Sequence, residues 1–268
     1  VVLGEQARDD EHVHTLMDRL RGFANWSFAA PRARRSRAAL RERLRHHLEH
    51  ATDGSLAARL RDEGGAADEL VDQIPQWLFA ADPALMAAHR ALALLASEDA
   101  ERARAREQID AARHETAPLL ARLRAAVLES VRLWPTTPLI LRDTTGPTTW
   151  PTGTMAAGTG VLVVAPYLHR DEQIEPTAHR FAPGNWLAPD GERLDEHAHD
   201  HRPLVPFSEG PASCPGQDLV LLMTSTWLAA LLSGHDVALR HRDAPLDPTS
   251  LPASLSPFAT AFTLTGRS

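Results

Sequence analysis

Apolar residues recur at helical spacing through most of the first half of the chain. Leu40, Leu44 and Leu48 lie one turn apart, and comparable patterns predict helices over about 9–22, 32–51, 67–97, 98–113 and 117–133. A polar break around Gly54 and Gly64-Gly65 interrupts them, and Trp134-Pro135 ends the last because proline cannot continue a helix. Beyond Pro135 the texture changes. Residues 138–142 and 160–164 are short β-prone runs between Thr-, Gly- and Pro-rich turns. From about 166 to 213 the chain is rich in Pro, His and Asp with little periodicity, which is unusual in a compact domain unless it packs around something. An apolar helix over about 215–233 and a C-terminal segment of hairpin-like character complete the pattern. The expected class is mainly α with small β-sheets (α+β), in one domain over 1–268: mainly helical over 1–134, mixed strand and loop over 135–268.

Composition narrows the function classes. The net charge of −7 argues against a general nucleic-acid binder. Seven arginines and one acid, Glu42, fall between Arg32 and Arg45. They form either an anion-binding or acidic-partner stripe, or the solvated face of the helix whose buried side carries Leu40, Leu44 and Leu48. No run of about 18 apolar residues stands out, and Val1-Val2-Leu3-Gly4 leads straight into charged sequence, so neither a membrane span nor a signal peptide is expected. A single cysteine excludes an intrachain disulfide and multi-cysteine metal sites, and suits a cytoplasmic protein.

That cysteine has a specific neighbourhood. Cys214 sits in a Gly/Pro loop directly before the last apolar helix, where the positive end of the helix dipole and free backbone N–H groups face its sulfur. Glycines allow a flat ligand to approach the backbone, and Phe207 can exclude water from the sulfur. The segment Phe207-x-x-Gly210-x-x-x-Cys214-x-Gly216 resembles the haem-binding loop of the cytochromes P-450. Glu129-x-x-Arg132 resembles the Glu-x-x-Arg motif of the same family, and His179-Arg180-Phe181-Ala182-Pro183 resembles the segment that supplies its third member, Arg180. Arg142, ten residues after Arg132, looks like the arginine that pairs with a haem propionate. Tyr167-Leu168-His169-Arg170-Asp171 looks like a turn that contributes order more than chemistry.

The resemblance implies a soluble bacterial-type haem-thiolate monooxygenase with haem b as cofactor and Cys214 as axial iron ligand. Phe207, Gly210, Gly216 and Arg142 would contact the cofactor, and Glu129, Arg132 and Arg180 would hold the loop. A ferredoxin-type donor with an NAD(P)H-dependent reductase would supply electrons, and the substrate would be a small apolar organic molecule. The chain matches only the C-terminal portion of the family fold, so a P-450-like fold lacking its N-terminal part is expected.

Two positions depart from the family pattern. In Phe79-Ala80-Ala81-Asp82-Pro83 the acid used for proton delivery is present as Asp82, but the alcohol position holds Pro83. Ala212 replaces a commonly basic residue two before the cysteine. An alternative reading follows: a truncated or degenerate homologue with weak haem binding and no oxygenase activity. A further alternative is a zinc or nickel site at His197, His199 and His201 with Asp195, Glu196 and Asp200.

Overall fold

The computed structural model describes residues 2–24, 30–115, 119–195, 198, 204–241 and 246–267. The contacts divide the chain into two compact units, Val1–Asp82 and Pro83–Ser268.

The first unit is helical. It contains α1 (Glu5–Arg8), α2 (Glu11–Ala24), α3 (Ala30–Glu49), α4 (Leu56–Asp62) and α5 (Ala67–Phe79). Two helix starts follow from capping chemistry. Ser55 accepts the Ala58 N–H at the head of α4, and Asp10 accepts the His12 and Val13 N–H groups at the head of α2. Asp10 also ties α2 to α3, because its other oxygen is bonded by Arg43 and by His47 Nε2. Val13, Leu16, Met17, Leu40, Leu44, Leu48, Val71 and Ile74 fill the core between these helices. Three of the seven α3 arginines pair with acids within the unit, Arg41 with Asp72, Arg43 with Asp10 and Arg45 with Asp68, which favours the solvated-face reading for the second half of the helix.

The helix expected over 67–97 is two helices, α5 and α6 (Ala81–Ser97), broken at Ala80. Pro83 explains the break: it has no N–H for the Phe79 carbonyl four residues back, and its ring crowds that carbonyl. The stretch Ala67–Ser97 is long and apolar enough to cross a membrane by length and composition alone, a test that buried core helices pass as well. Many of its apolar side chains are buried in protein, Leu70, Val71 and Ile74 in the first unit and Ala87, Ala91, Leu92 and Leu95 in the second. The polar break around Gly54 was expected to be irregular but holds α4, whose cap the composition does not advertise.

The second unit packs α6, α7 (Asp99–Ala111), α8 (Ala121–Leu133) and α10 (Gln217–Gly234) around one core. Leu92, Leu95, Leu123, Val127, Leu128, Leu228 and Leu232 meet there. Each fully buried leucine contributes about 1.5–3 kcal/mol by removal from water. Among the described residues, three two-stranded antiparallel ribbons flank the helices. In the first, β1 (Leu139–Asp143) pairs with β4 (Gly160–Val164) in the register Leu139↔Val164, Leu141↔Leu162. The second is a hairpin of β2 (Thr148–Trp150) and β3 (Gly153–Met155), and the third joins β5 (His235–His241) to β6 (Thr260–Gly266). The stretch expected to lack periodicity opens with a short helix, α9 (Ala165–His169), and continues in turns.

Candidate functional site

Two constructions in the second unit converge on the cysteine loop. The first is a buried ion pair. Glu129 and Arg132 lie one turn apart on α8, both with fully buried side chains. Arg132 Nε and Nη2 donate to the two Glu129 oxygens, each at 2.7 Å. The guanidinium then donates to four carbonyls from the aperiodic stretch, those of His169, Thr177, Ala178 and Arg180, at 3.0–3.1 Å. The carboxylate is completed by the Ala182 N–H at 3.0 Å and by Trp186 Nε1–H at 2.7 Å. Burying two charges is costly, and it is tolerated here because both are fully hydrogen-bonded. The ion pair thereby fixes residues 169–186 on α8, which explains how a segment with no hydrophobic period is ordered.

Arg180 takes part differently from expectation. It contributes its backbone carbonyl, while its side chain is exposed. Trp186 occupies the role of second donor to Glu129. Nothing in the sequence marked Trp186 beyond its being a large aromatic in a polar stretch. His169 was placed only in a turn, yet it is fully buried at the end of α9.

The second construction is the loop itself. His169 Nε2 accepts the Val205 N–H at 2.9 Å, so the ring proton sits on Nδ1, which faces the Arg132 carbonyl at 3.3 Å. Val205 in turn accepts the Ser208 N–H at 3.1 Å, and the Cys214 N–H donates to the Phe207 carbonyl at 2.8 Å. Between them the chain turns sharply, with φ of 61° at Ser208 and 63° at Gly210. Glycine takes that conformation freely, whereas serine is strained in it. Arg142 on β1 reaches this turn, donating from Nη2 to Ser208 Oγ at 3.2 Å. Cys214 is half-buried, and α10 begins three residues later, preceded by Gly216. A β-carbon on Gly216 would stand 3.8 Å from Cys214 Sγ, so the glycine keeps that side of the sulfur clear. Phe207 packs against the core of the second unit, and Ala212 lies in the 3-10 turn Gly210–Ala212.

The structure thus brings Phe207, Gly210, Cys214, Gly216 and Arg142 to one loop and hangs that loop, through His169, on the Glu129–Arg132 pair. Asp82 belongs to the first unit, where both of its oxygens are held by Arg21, at 2.8 and 3.0 Å. Glu196, His197, His199, Asp200 and His201 of the alternative metal site lie outside the described residues.

The donor set suits a flat iron cofactor. It offers one half-buried sulfur at a helix N-terminus, a glycine-opened flank, and a guanidinium that reaches the loop from β1 for a carboxylate.

Comparisons with known proteins agree. The cytochrome P-450 monooxygenase ptmK of Penicillium ochrochloron is 30% identical over 145 residues, 53% of this chain and 28% of that protein. The cyclooctat-9-en-7-ol 5-monooxygenase of Streptomyces melanosporofaciens is 31% identical over 137 residues, 51% of this chain and 28% of that protein. The fold matches a crystal structure of a cytochrome P-450 (CYP102L1) with a TM-score of 0.73 and 21% identity, over 95% of this chain and 61% of that one. The chain therefore spans well under two thirds of the length of these relatives. A model of the family Cytochrome P-450 covers residues 27–261, and with it the Glu129–Arg132 pair and the whole cysteine loop: the chain belongs to the cytochrome P-450 family.

Proposed function

We propose that this chain carries the haem-thiolate part of a monooxygenase that inserts one oxygen atom from O2 into a small apolar organic substrate. The carrying observation is the cysteine loop: Cys214 at the head of α10, its N–H tied to the Phe207 carbonyl, in a turn that Arg142 also reaches. Haem b would supply the iron chemistry of O2 activation, and Cys214 would hold that iron through its thiolate.

The chain's own residues have separable tasks. Gly210 supplies the positive-φ turn of the loop, Gly216 would leave room beside the sulfur, and Phe207 would shield it from water. Arg142 would pair with a propionate, exchanging its bond to neutral Ser208 Oγ for a charge-assisted one. Glu129, Arg132 and the Arg180 carbonyl hold the segment from which the loop is suspended. Asp82 is the candidate proton donor; it would have to leave Arg21, and Pro83 beside it offers no hydroxyl to pass a proton on. Electrons would come from a ferredoxin-type protein and an NAD(P)H-dependent reductase.

The test is oxygen incorporation from 18O2 into an apolar substrate panel, with a surrogate ferredoxin, reductase and NADPH. One labelled atom per product, lost in Cys214→Ala, is the expected result. The Arg21–Asp82 pair and Pro83 favour a second reading, a homologue that binds haem without oxygenating. Full haem loading with no labelled product for any substrate would select it.

A further inference from the structure

The last turn of α3 carries a cluster unrelated to the cysteine loop. His46, Glu49 and His50 are all exposed, and each offers a ligand atom such that the three atoms lie within 4.8 Å of one another. The two imidazole rings stand 4.5 Å apart. His47, between them in sequence, faces the other way and is buried against Asp10 at 2.7 Å, so it anchors the helix without competing for the same face.

We propose that His46, Glu49 and His50 form a surface site for a borderline divalent cation, Zn2+ being the probe of choice. The spacing His-x-x-Glu-His places two imidazoles one helical turn apart, the spacing at which zinc hydrolases present two histidines to the metal, and the Glu49 carboxylate lies near enough to serve as a third ligand. Two nitrogens and one carboxylate oxygen match the ligand preference of zinc, with water completing the coordination.

Two features prepare the site. His50 Nδ1 lies 2.8 Å from the His46 carbonyl, which can only accept, so Nδ1 carries the proton and Nε2 is left with its lone pair for the metal. The site also sits at the C-terminal end of a 20-residue helix, whose dipole presents partial negative charge. Arg61 Nη1, which donates to the Leu48 and Glu49 carbonyls at 3.2 and 3.3 Å, places one positive charge at that end, which the Glu49 carboxylate and the dipole offset.

The experiment is isothermal titration of the full chain with ZnCl2, in the wild type and in His46→Ala, His50→Ala and Glu49→Gln. The wild type should show a binding event that each histidine variant weakens by at least about tenfold, since loss of a ligand should cost no less than the roughly ten- to hundredfold that loss of an outer-shell partner commonly does. Glu49→Gln should weaken it less, because an amide oxygen can still coordinate. The readout is a difference between variants, so His197, His199 and His201 contribute equally to each titration. All three residues are exposed, and unchanged helical circular dichroism would confirm that the variants fold. Identical isotherms for the wild type and the double variant His46→Ala/His50→Ala, or no zinc binding by the wild type, would overturn the proposal.

Discussion

His169 Nε2 accepts the backbone N–H of Val205 at 2.9 Å, and through that bond the loop bearing Cys214 hangs from the buried ion pair on α8. The relationship assigns His169 a positioning role. His169→Phe should keep the ring volume while leaving the buried Val205 N–H without its acceptor, at a cost of about 1–3 kcal/mol. Haem retention, followed by absorbance during dilution, should fall further than the urea midpoint does. Equal losses in both would reduce His169 to a packing residue.

The Glu129–Arg132 pair is expected to dominate the stability of the second unit. Arg132→Ala leaves a carboxylate buried with neither its ion-pair partner nor the carbonyls' donor, and should destabilise by about 3–5 kcal/mol in denaturant unfolding. Trp186→Phe removes one donor and should cost about 1–3 kcal/mol. A Trp186→Phe loss as large as that of Arg132→Ala would contradict this ordering.

These relationships mark the limit of what the sequence reveals. Helices α2, α3, α7 and α8, and the helical stretch that holds α5 and α6, were legible because apolar residues at a period near 3.6 have no other stable use in water. The cysteine loop was legible because its four fixed residues are constrained chemically. That Arg180 meets Arg132 through its backbone was not legible, because a carbonyl carries no residue identity and leaves no trace in composition. His169 and Trp186 were missed for a related reason: their partners lie 36 and 57 residues away in the chain, beyond any local pattern. Helix α4 was hidden because its seven residues lie in a polar stretch between glycines, too short to display a helical period.

Asp10 provides a pH dependence. Burial alone would raise its carboxyl, but hydrogen bonds from His47, Arg43 and the Val13 and His12 N–H groups outweigh burial and hold it far below the usual range. The unfolded chain therefore binds this proton more readily than the folded one. The contribution of Asp10 to the first unit is fully present above its unfolded value of about 3.9 and drains away as pH falls below it. Asp10→Asn should lower stability at neutral pH and flatten the slope between about pH 5 and 2. An unchanged slope in urea titrations would contradict that assignment.

Apolar side chains also lie open on the second unit. On the β1–β4 ribbon Leu139, Leu141, Leu162 and Val164 share one exposed face, and α10 exposes Leu219, Leu222, Met223 and Trp227. Such surfaces favour association in water. The chain by itself should self-associate, and Leu141→Glu with Leu222→Glu should raise the monomer fraction in sedimentation velocity at little cost to Tm. Leu123→Ala, by contrast, should cost about 2–5 kcal/mol, because its site is fully enclosed. A chain that sediments as a monomer without the substitutions would refute the first expectation.

The account stands on thiolate ligation by Cys214, and one spectrum tests it most directly. The full chain, loaded with haem, is reduced and exposed to carbon monoxide. A strongly red-shifted Soret band that disappears in Cys214→Ala, while Arg142→Ala keeps the band but releases haem faster, is the expected result. A carbon monoxide complex without the red shift in the wild type, or the same shifted band in Cys214→Ala, would contradict it.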